Sequence, residues 1–212
     1  NGEIRGKLIE IQRNGHKYDL ILMARDTFAG LDFELDTKDR IVSDLVQKFF
    51  EAKTALTKDQ LKKRASLEQK FAKEVNKIKS RFEGLTFEDL GVDLLVRDES
   101  HDVKNLLDTV TFQDIKGLSG ASSSRALHNY IASNIISMQN SGRNVIMLTA
   151  TPISNTPLEI FNMMLPFAED DLSKMGVSSI DDFIGRFAQI DHEPTTEADG
   201  SIVNQAKFVG WS

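Results

Sequence analysis

A short apolar run that ends in charged side chains constrains this chain more than any other feature. Residues 94–97 are Leu-Leu-Val-Arg, and Asp98, Glu99 and His101 follow directly. An apolar run of this length is typical of a buried strand in a parallel sheet. Because ligands of open α/β sheets bind beyond the carboxyl ends of the strands, we expect these three side chains to lie at a binding site.

A second stretch has the same design. Residues 144–148 are mostly apolar and run into Thr149, Ala150, Thr151 and Pro152. The segment between the two runs predicts the crossover helix that connects parallel strands, capped by the serines at 122–124 and ending near Gly142. Its apolar stripe consists of Leu127, Ile131, Ile135 and Met138. We therefore expect two neighbouring strands that place a metal-and-water site beside a hydroxyl-rich loop.

Residues 37–83 have a different pattern, that of an antiparallel helical hairpin. Two apolar stripes at helical spacing, separated by a short turn, predict its two helices. The stripes are Ile41, Leu45, Phe49 and Leu56, then Leu61, Phe71, Val75, Ile78 and Phe82. Residues 34–84 carry 13 Lys and Arg against 9 Asp and Glu, although the whole chain has a net charge of −6. This excess of positive charge favours either an attraction for phosphate backbones or an ordinary solvated helix face.

The remaining segments give simpler expectations. The patterns predict a helix over 3–13, a buried strand over 19–24, a helix beginning at Thr156, a polar connection over 169–179, a helix over 179–187, and a polar tail beyond 191 that is extended or partly disordered.

The 212 residues contain no cysteine, so disulfides and thiolate metal sites are excluded. No apolar run approaches the roughly 20 residues that span a bilayer, so we expect no membrane partner.

Two motifs resemble those of superfamily-two helicases. Residues 98–101 (Asp-Glu-Ser-His) resemble the Asp-Glu-Ala-His box, and residues 149–151 (Thr-Ala-Thr) resemble the third helicase motif. Lys104-Asn105 and the Thr-Ala-Thr-Pro-Ile-Ser-Asn segment of residues 149–155 are similar to the Swi/Snf branch. Within that branch, the chain looks most like helicase–adenine-methylase proteins of bacteriophages and mobile elements, some of them linked to anti-restriction.

The resemblance implies an α/β fold, namely a partial RecA-like domain with a mainly parallel sheet. Residues 1–33 and 85–168 would form the RecA-like core. Residues 34–84 would form the inserted, coiled-coil-like helical hairpin, and residues 169–212 a C-terminal helix with a polar tail.

The resemblance also implies roles in ATP hydrolysis. Asp98 would hold Mg²⁺ on ATP, and Glu99 would orient and deprotonate the attacking water. His101 would link the γ-phosphate region to Thr149 or Thr151, which would couple hydrolysis to domain movement. These roles come from the resembled family; the residues themselves indicate only a strand-end position.

Further residues are candidates for contact with double-stranded DNA. In the resembled family, a Thr with an aromatic neighbour after an early strand touches the tracked strand, which would be Thr27 and Phe28 here. The alternative is that Thr27 caps a turn and Phe28 fills the core. Lys104 and Asn105 are candidates for nucleic-acid binding, for bridging to the nucleotide site, or for capping the next turn.

Three departures from the family pattern limit the expected activity. The chain contains no Gly-x-x-x-x-Gly-Lys-Ser/Thr loop, and nothing in it resembles a second RecA-like domain. Arg97 stands where the family has an apolar residue, and a buried arginine there needs a partner, for which Asp98 is a candidate. We therefore expect a fragment that is inactive alone and that depends on other parts of the same polypeptide, among them a phosphate-binding loop, a second RecA-like domain and a methylase domain.

Two alternatives of a different class remain at this stage. One is a degenerate ATPase fold that serves as a non-catalytic scaffold or binding protein, for example in a viral particle. The other is a metal-dependent nuclease built on Asp98, Glu99 and His101, which would need further acids close in space. The resemblance places the protein in the cytoplasm of a bacterial host or packaged in a phage particle.

Overall fold

The computed structural model describes residues 2–50, 58–106, 123–152, 158–196 and 200–211. Over these residues the helices are α1 (Gly2–Asn14), α2 (Arg25–Phe28), α3 (Leu35–Phe50), α4 (Lys58–Val75), α5 (Ser124–Gln139), α6 (Leu158–Lys174) and α7 (Ile180–Phe187). The strands are β1 (Leu95–Arg97), β2 (Val145–Met147), β3 (Ala188–Thr196) and β4 (Ile202–Trp211). Short 3₁₀ turns occupy Gly15–Lys17, Glu88–Leu90 and Ser100–Val103.

The two predicted neighbouring strands form a small parallel sheet. Val96 of β1 lies opposite Ile146 of β2, with the flanking residues in the same register. Backbone pairing continues past the strand ends, because Leu148 N donates to Arg97 O at 2.8 Å. The expected mixed α/β fold with parallel strands is confirmed at this level.

Helix α5 connects these strands as the sequence predicts. It begins at Ser123, whose side chain accepts a hydrogen bond from Ala126 N at 3.1 Å, a typical N-cap. Leu127, Ile131 and Ile135 of the predicted stripe are buried. Most other side chains between Ala126 and Ile136 are buried as well, so α5 is the central helix of the core rather than a surface helix.

The two helices of the predicted hairpin pack against each other and against α5. Ile41 and Leu45 of α3 and Phe71 of α4 are buried in the same apolar core as α5. Leu61 is half exposed, and α4 ends at Val75, so the predicted second stripe extends beyond the helix. That residues 34–84 form an insertion, or a coiled coil, stays a prediction.

The strand predicted over residues 19–24 is wrong. These residues have no regular secondary structure, and Leu20 and Leu22 are 73% and 87% exposed. A strand forms only where a neighbouring strand satisfies its backbone groups, and no such neighbour lies beside this segment among the described residues. The apolar pattern therefore marks a segment that lacks a partner.

One prediction for the C-terminal part is also wrong, and a second is confirmed only for its extended backbone. Helix α6 continues through the expected polar connection as far as Lys174, because Leu172 is buried against the core and Pro166 is tolerated inside the helix. The tail beyond residue 191 forms the antiparallel pair β3–β4 rather than a loose extension. Trp211 anchors this pair, with its ring 5.4 Å from Phe183 of α7 and 5.0 Å from Phe208.

A buried histidine lies where α5 meets the segment before α3. The ring of His128 is 4.9 Å from the Phe28 ring and 4.6 Å from the Phe33 ring, and its Nε2 is 2.9 Å from Leu31 O. Burial is the main cause that lowers the pKa of His128 to about 4; the charge of Arg97 acts in the same direction, and the Leu31 hydrogen bond opposes it. The folded protein therefore holds this imidazole neutral.

We expect stability to fall as the pH drops from about 6.5 to about 4, by about 3 kcal/mol, because the unfolded chain protonates His128 in this range and the folded chain does not. Urea unfolding at several pH values measures this. His128→Gln should be less stable at pH 7 but lose much less stability on acidification. The exposed His192 supplies a control, His192→Gln, which should keep the full acid dependence.

Candidate functional site

The parallel pairing of β1 and β2 brings the two polar motifs side by side. Ser100 N, within the first motif, donates to Leu148 O at 2.9 Å, one residue before the second motif begins. The segments 98–102 and 149–152 therefore leave the same edge of the sheet in contact with each other. This is the edge at which ligands of parallel α/β sheets bind.

His101 lies at the centre of this junction. Its Nδ1 is 3.1 Å from Glu99 Oε2 and 3.3 Å from Thr149 Oγ1, and its Nε2 is 3.6 Å from Asp102 Oδ1. Thr149 Oγ1 also accepts a hydrogen bond from Thr151 N at 3.1 Å. The structure thus brings together four of the residues singled out in the sequence: Glu99, His101, Thr149 and Thr151.

Glu99 has a strained backbone conformation. Its φ of 52° and ψ of 48° lie in the left-handed region, where a Cβ crowds the neighbouring carbonyl oxygen. Such strain costs about 1 kcal/mol or more and is concentrated at functional sites. The turn directs the chain from β1 into the 3₁₀ turn that carries His101, and the Glu99 carboxylate stays about half exposed.

The acids at this edge do not form a metal cage of protein ligands in the part of the chain that the structure describes. Asp98 is exposed at the end of β1, with Oδ1 accepting from Glu99 N at 2.9 Å. Among the described residues, no three His, Asp or Glu side chains are grouped so as to hold a metal ion. Mg²⁺ on a nucleotide needs no such group, because it keeps several waters and takes one or two carboxylates together with phosphate oxygens. That Asp98 binds a metal ion stays a prediction.

Lys104 joins the segment after the first motif to the helix after the second. Its Nζ is 3.1 Å from Glu159 Oε2, with side-chain exposures of 7% and 0%. Neighbouring Asn105 is half-buried, and its backbone carbonyl accepts from Ser123 N at 2.9 Å at the start of α5. Both residues therefore make contacts within the fold, and their binding of nucleic acid stays a prediction.

Thr27 and Phe28 lie on the short helix α2. Phe28 is 9% exposed, with its ring 5.9 Å from that of Phe87 and 5.7 Å from the Arg97 guanidinium. Thr27 is half-buried. Phe28 thus packs in the core, whereas Thr27 remains partly accessible. That either residue touches nucleic acid stays a prediction.

Sequence reasoning did not find the arginines around Asp102. Arg25 Nη1 pairs with Asp102 Oδ2, and Arg125 Nη1 is 3.9 Å from the same oxygen. Arg97 is 6% exposed, and Arg97 and Asp98 form no ion pair. Burial lowers the pKa of Arg97, Asp102 raises it, and Arg25 and Arg125 lower it. Arg25 and Asp102 are 77 positions apart, so no local pattern could have paired them.

Removing one partner of the Lys104–Glu159 pair should destabilise the protein by about 3 kcal/mol, because the remaining charge stays buried. We expect this for Lys104→Met and for Glu159→Leu, measured by urea unfolding. The double variant should lose clearly less than the sum of the two. Lys7, whose partner Glu3 is 2.8 Å away at the surface, provides the control: Lys7→Met should leave the free energy of unfolding nearly unchanged. Additive losses would show that the buried pair makes no coupled contribution.

Comparisons with known proteins match this chain to a family model and to a phage protein. The family described as "Probable helicase domain" matches residues 2–209. "Defense against restriction protein B" of Escherichia phage P1 is 25% identical over 207 residues, which cover 92% of this chain. The chain spans only 9% of the length of that relative. No solved structure is significantly similar to this chain. No helix in the described part of the chain has the length and apolarity needed to span a membrane.

Proposed function

The chain belongs to the helicase-domain family, and from this premise we propose that it is part of an ATP-dependent DNA translocase or helicase of the Swi/Snf-like branch of superfamily two. The observation that carries the proposal is the contact between the two motifs, with His101 Nδ1 3.3 Å from Thr149 Oγ1. A strand-end acid pair alone is common in proteins. An acid pair joined through a histidine to the hydroxyl of the next parallel strand fits a site that senses a phosphate and transmits its presence.

Each residue at this edge then has a distinct task. Asp98 would hold Mg²⁺ on ATP, and that ion would supply positive charge to neutralise the phosphates. Glu99 would orient the attacking water and accept its proton. His101 and Thr149 form the link from the γ-phosphate position to the second motif. The buried Lys104–Glu159 pair keeps α6 in register with the turn that bears His101.

We further propose that other parts of the same polypeptide complete a RecA-like domain around this sheet. Four apolar side chains on one face of the two strands are 44–51% exposed: Leu94, Val96, Ile146 and Leu148. Parallel sheets are normally covered on both faces, so this face fits further helices of the same domain. These parts would also bring the phosphate-binding loop and, from a second RecA-like domain, the far wall of the ATP site, without which this segment is inactive.

Double-stranded DNA is the proposed partner, with Thr27 and Asn105 the partly accessible members of the candidate contacts. The similarity to a phage protein named for defence against restriction supports a phage or mobile-element origin. In that setting the polypeptide acts in the cytoplasm of a bacterial host or travels in a phage particle, and a methylase domain would be a further part of it.

Glu99→Gln tests the motor directly. In the longest natural polypeptide that contains this sequence, we expect DNA-stimulated ATP hydrolysis, reduced by about a hundredfold or more in Glu99→Gln because the water loses its general base. The exposed Glu83 provides a matched control, and Glu83→Gln should keep full activity. A polypeptide that has a phosphate-binding loop but no DNA-stimulated hydrolysis would refute the motor and favour a non-catalytic scaffold.

Cysteine labelling at position 96 tests the proposed covering of the sheet. These 212 residues contain no cysteine, and in the longer polypeptide peptide mapping identifies the label at position 96. Val96→Cys should react readily with a maleimide in the 212-residue chain. In the longest natural polypeptide it should react more than about tenfold more slowly, because opening of the domain must precede labelling. Reactivity in denaturant defines the full rate for both. Equal reactivity in the two folded proteins would mean that no further element covers this face.

A further inference from the structure

Two arginines meet at one aspartate beside the candidate site, and a third, Arg97, lies buried within reach of their charges. Asp102 Oδ2 pairs with Arg25 Nη1 and lies 3.9 Å from Arg125 Nη1. The second Arg125 nitrogen, Nη2, is 4.0 Å from Asp26 Oδ1. Both Arg125 distances exceed that of a hydrogen bond, so its guanidinium is held by charge alone among the described residues.

Arg97 adds a third guanidinium from the interior. Its Nε and Nη2 are buried and have no hydrogen-bond partner, and its Cζ lies 5.7 Å over the Phe28 ring. The charges of Arg25, Arg125 and Asp102 all act on it, which places the three arginines in one electrostatic neighbourhood. A buried guanidinium without a hydrogen-bonded carboxylate is costly and raises the positive potential of the surface above it.

The acceptors at this cluster are too few for its donors. Each guanidinium carries five N–H groups, whereas the carboxylates beside the three arginines are those of Asp102 and Asp26. Asp102 also lies next to His101, whose Nε2 is 3.6 Å from Asp102 Oδ1. The Asp26 side chain is 86% exposed and therefore a weak partner. The cluster thus has an excess of positive charge and of free donors.

We propose that Arg25 and Arg125 bind a phosphate group, with Arg97 strengthening the positive potential beneath it. The side chains of Arg25 and Arg125 are 53% and 49% exposed, so both present N–H groups to solvent while Asp102 holds them next to each other. The planar guanidinium fork matches the spacing of phosphate oxygens, and two forks side by side make a specific oxyanion site. Asp102 acts as the internal anion that a phosphate competes with or displaces.

The phosphate has two possible sources, the backbone of a nucleic acid or a nucleotide. Arg25 starts the helix that carries Thr27, and Asp102 follows His101, so the cluster lies between the candidate nucleic-acid and nucleotide residues. Binding requires only the arginines and not hydrolysis. This site therefore stands even for a protein that turns over no ATP.

The test is a binding measurement in the longest natural polypeptide that contains this sequence. Fluorescence anisotropy with a labelled 20-base-pair DNA duplex measures backbone binding, and calorimetry with ATP measures nucleotide binding. We expect Arg25→Gln and Arg125→Gln each to lower the affinity for one of these two ligands by about tenfold, because each variant loses a charged hydrogen bond to phosphate. Arg143→Gln, an exposed arginine at the opposite end of β2, is the matched control and should change neither.

Asp102→Asn gives the opposite prediction and so separates this site from a loss of folding. Removing the competing negative charge should raise the affinity for the ligand that the arginine variants bind less tightly, by about threefold or more. A change in DNA binding alone assigns the phosphate to the backbone, and a change in ATP binding alone assigns it to the nucleotide. Unchanged binding of both ligands in the arginine variants would overturn the proposal, as would weaker binding in Asp102→Asn.

Discussion

The backbone hydrogen bonds between β1 and β2 are the interaction on which the rest of this structure depends. Each strand has only three residues, yet their pairing continues through Leu148 and Ser100 beyond the strand ends. This extension matters because it brings the two polar segments together before any side chain contributes. The His101–Thr149 contact and the burial of Lys104 against Glu159 both require the register that this pairing sets. A shift of one residue would turn Arg97 to the other face of the sheet.

The core above this sheet is less purely apolar than its hydrophobic pattern suggests. The Arg97 guanidinium lies over the Phe28 ring, which meets the His128 ring edge-on, and both Arg97 and His128 retain polar atoms without partners. Such a layer stabilises the fold less than aliphatic packing would. It places a positive charge directly under the sheet edge where anionic ligands would bind. The fold is therefore less stable than one with an aliphatic layer here, but it has a more positive electrostatic potential at this edge.

Local sequence patterns were enough to predict the elements that depend on residues close together in the chain. The apolar runs before Asp98 and Thr149, and the serine cap and stripe of α5, were sufficient for the sheet and its crossover. The β3–β4 pair was missed because it depends on Trp211 packing against Phe183, a contact between distant positions. The segment at residues 19–24 has the composition of a strand, but composition cannot supply the neighbour that a strand requires. The arginine cluster escaped notice for a related reason, since its members come from three separate segments.

The half-exposed face of the sheet has a consequence for how the isolated chain behaves in solution. The two short strands have no further strand neighbour among the described residues, so they offer an apolar surface and backbone hydrogen-bonding groups to another molecule. At high concentration such a chain tends to associate with itself, and its acidic net charge of −6 opposes this only weakly in salt. The exposed side chains of Leu94, Val96, Ile146 and Leu148 therefore determine how strongly the isolated chain self-associates at low and at high ionic strength.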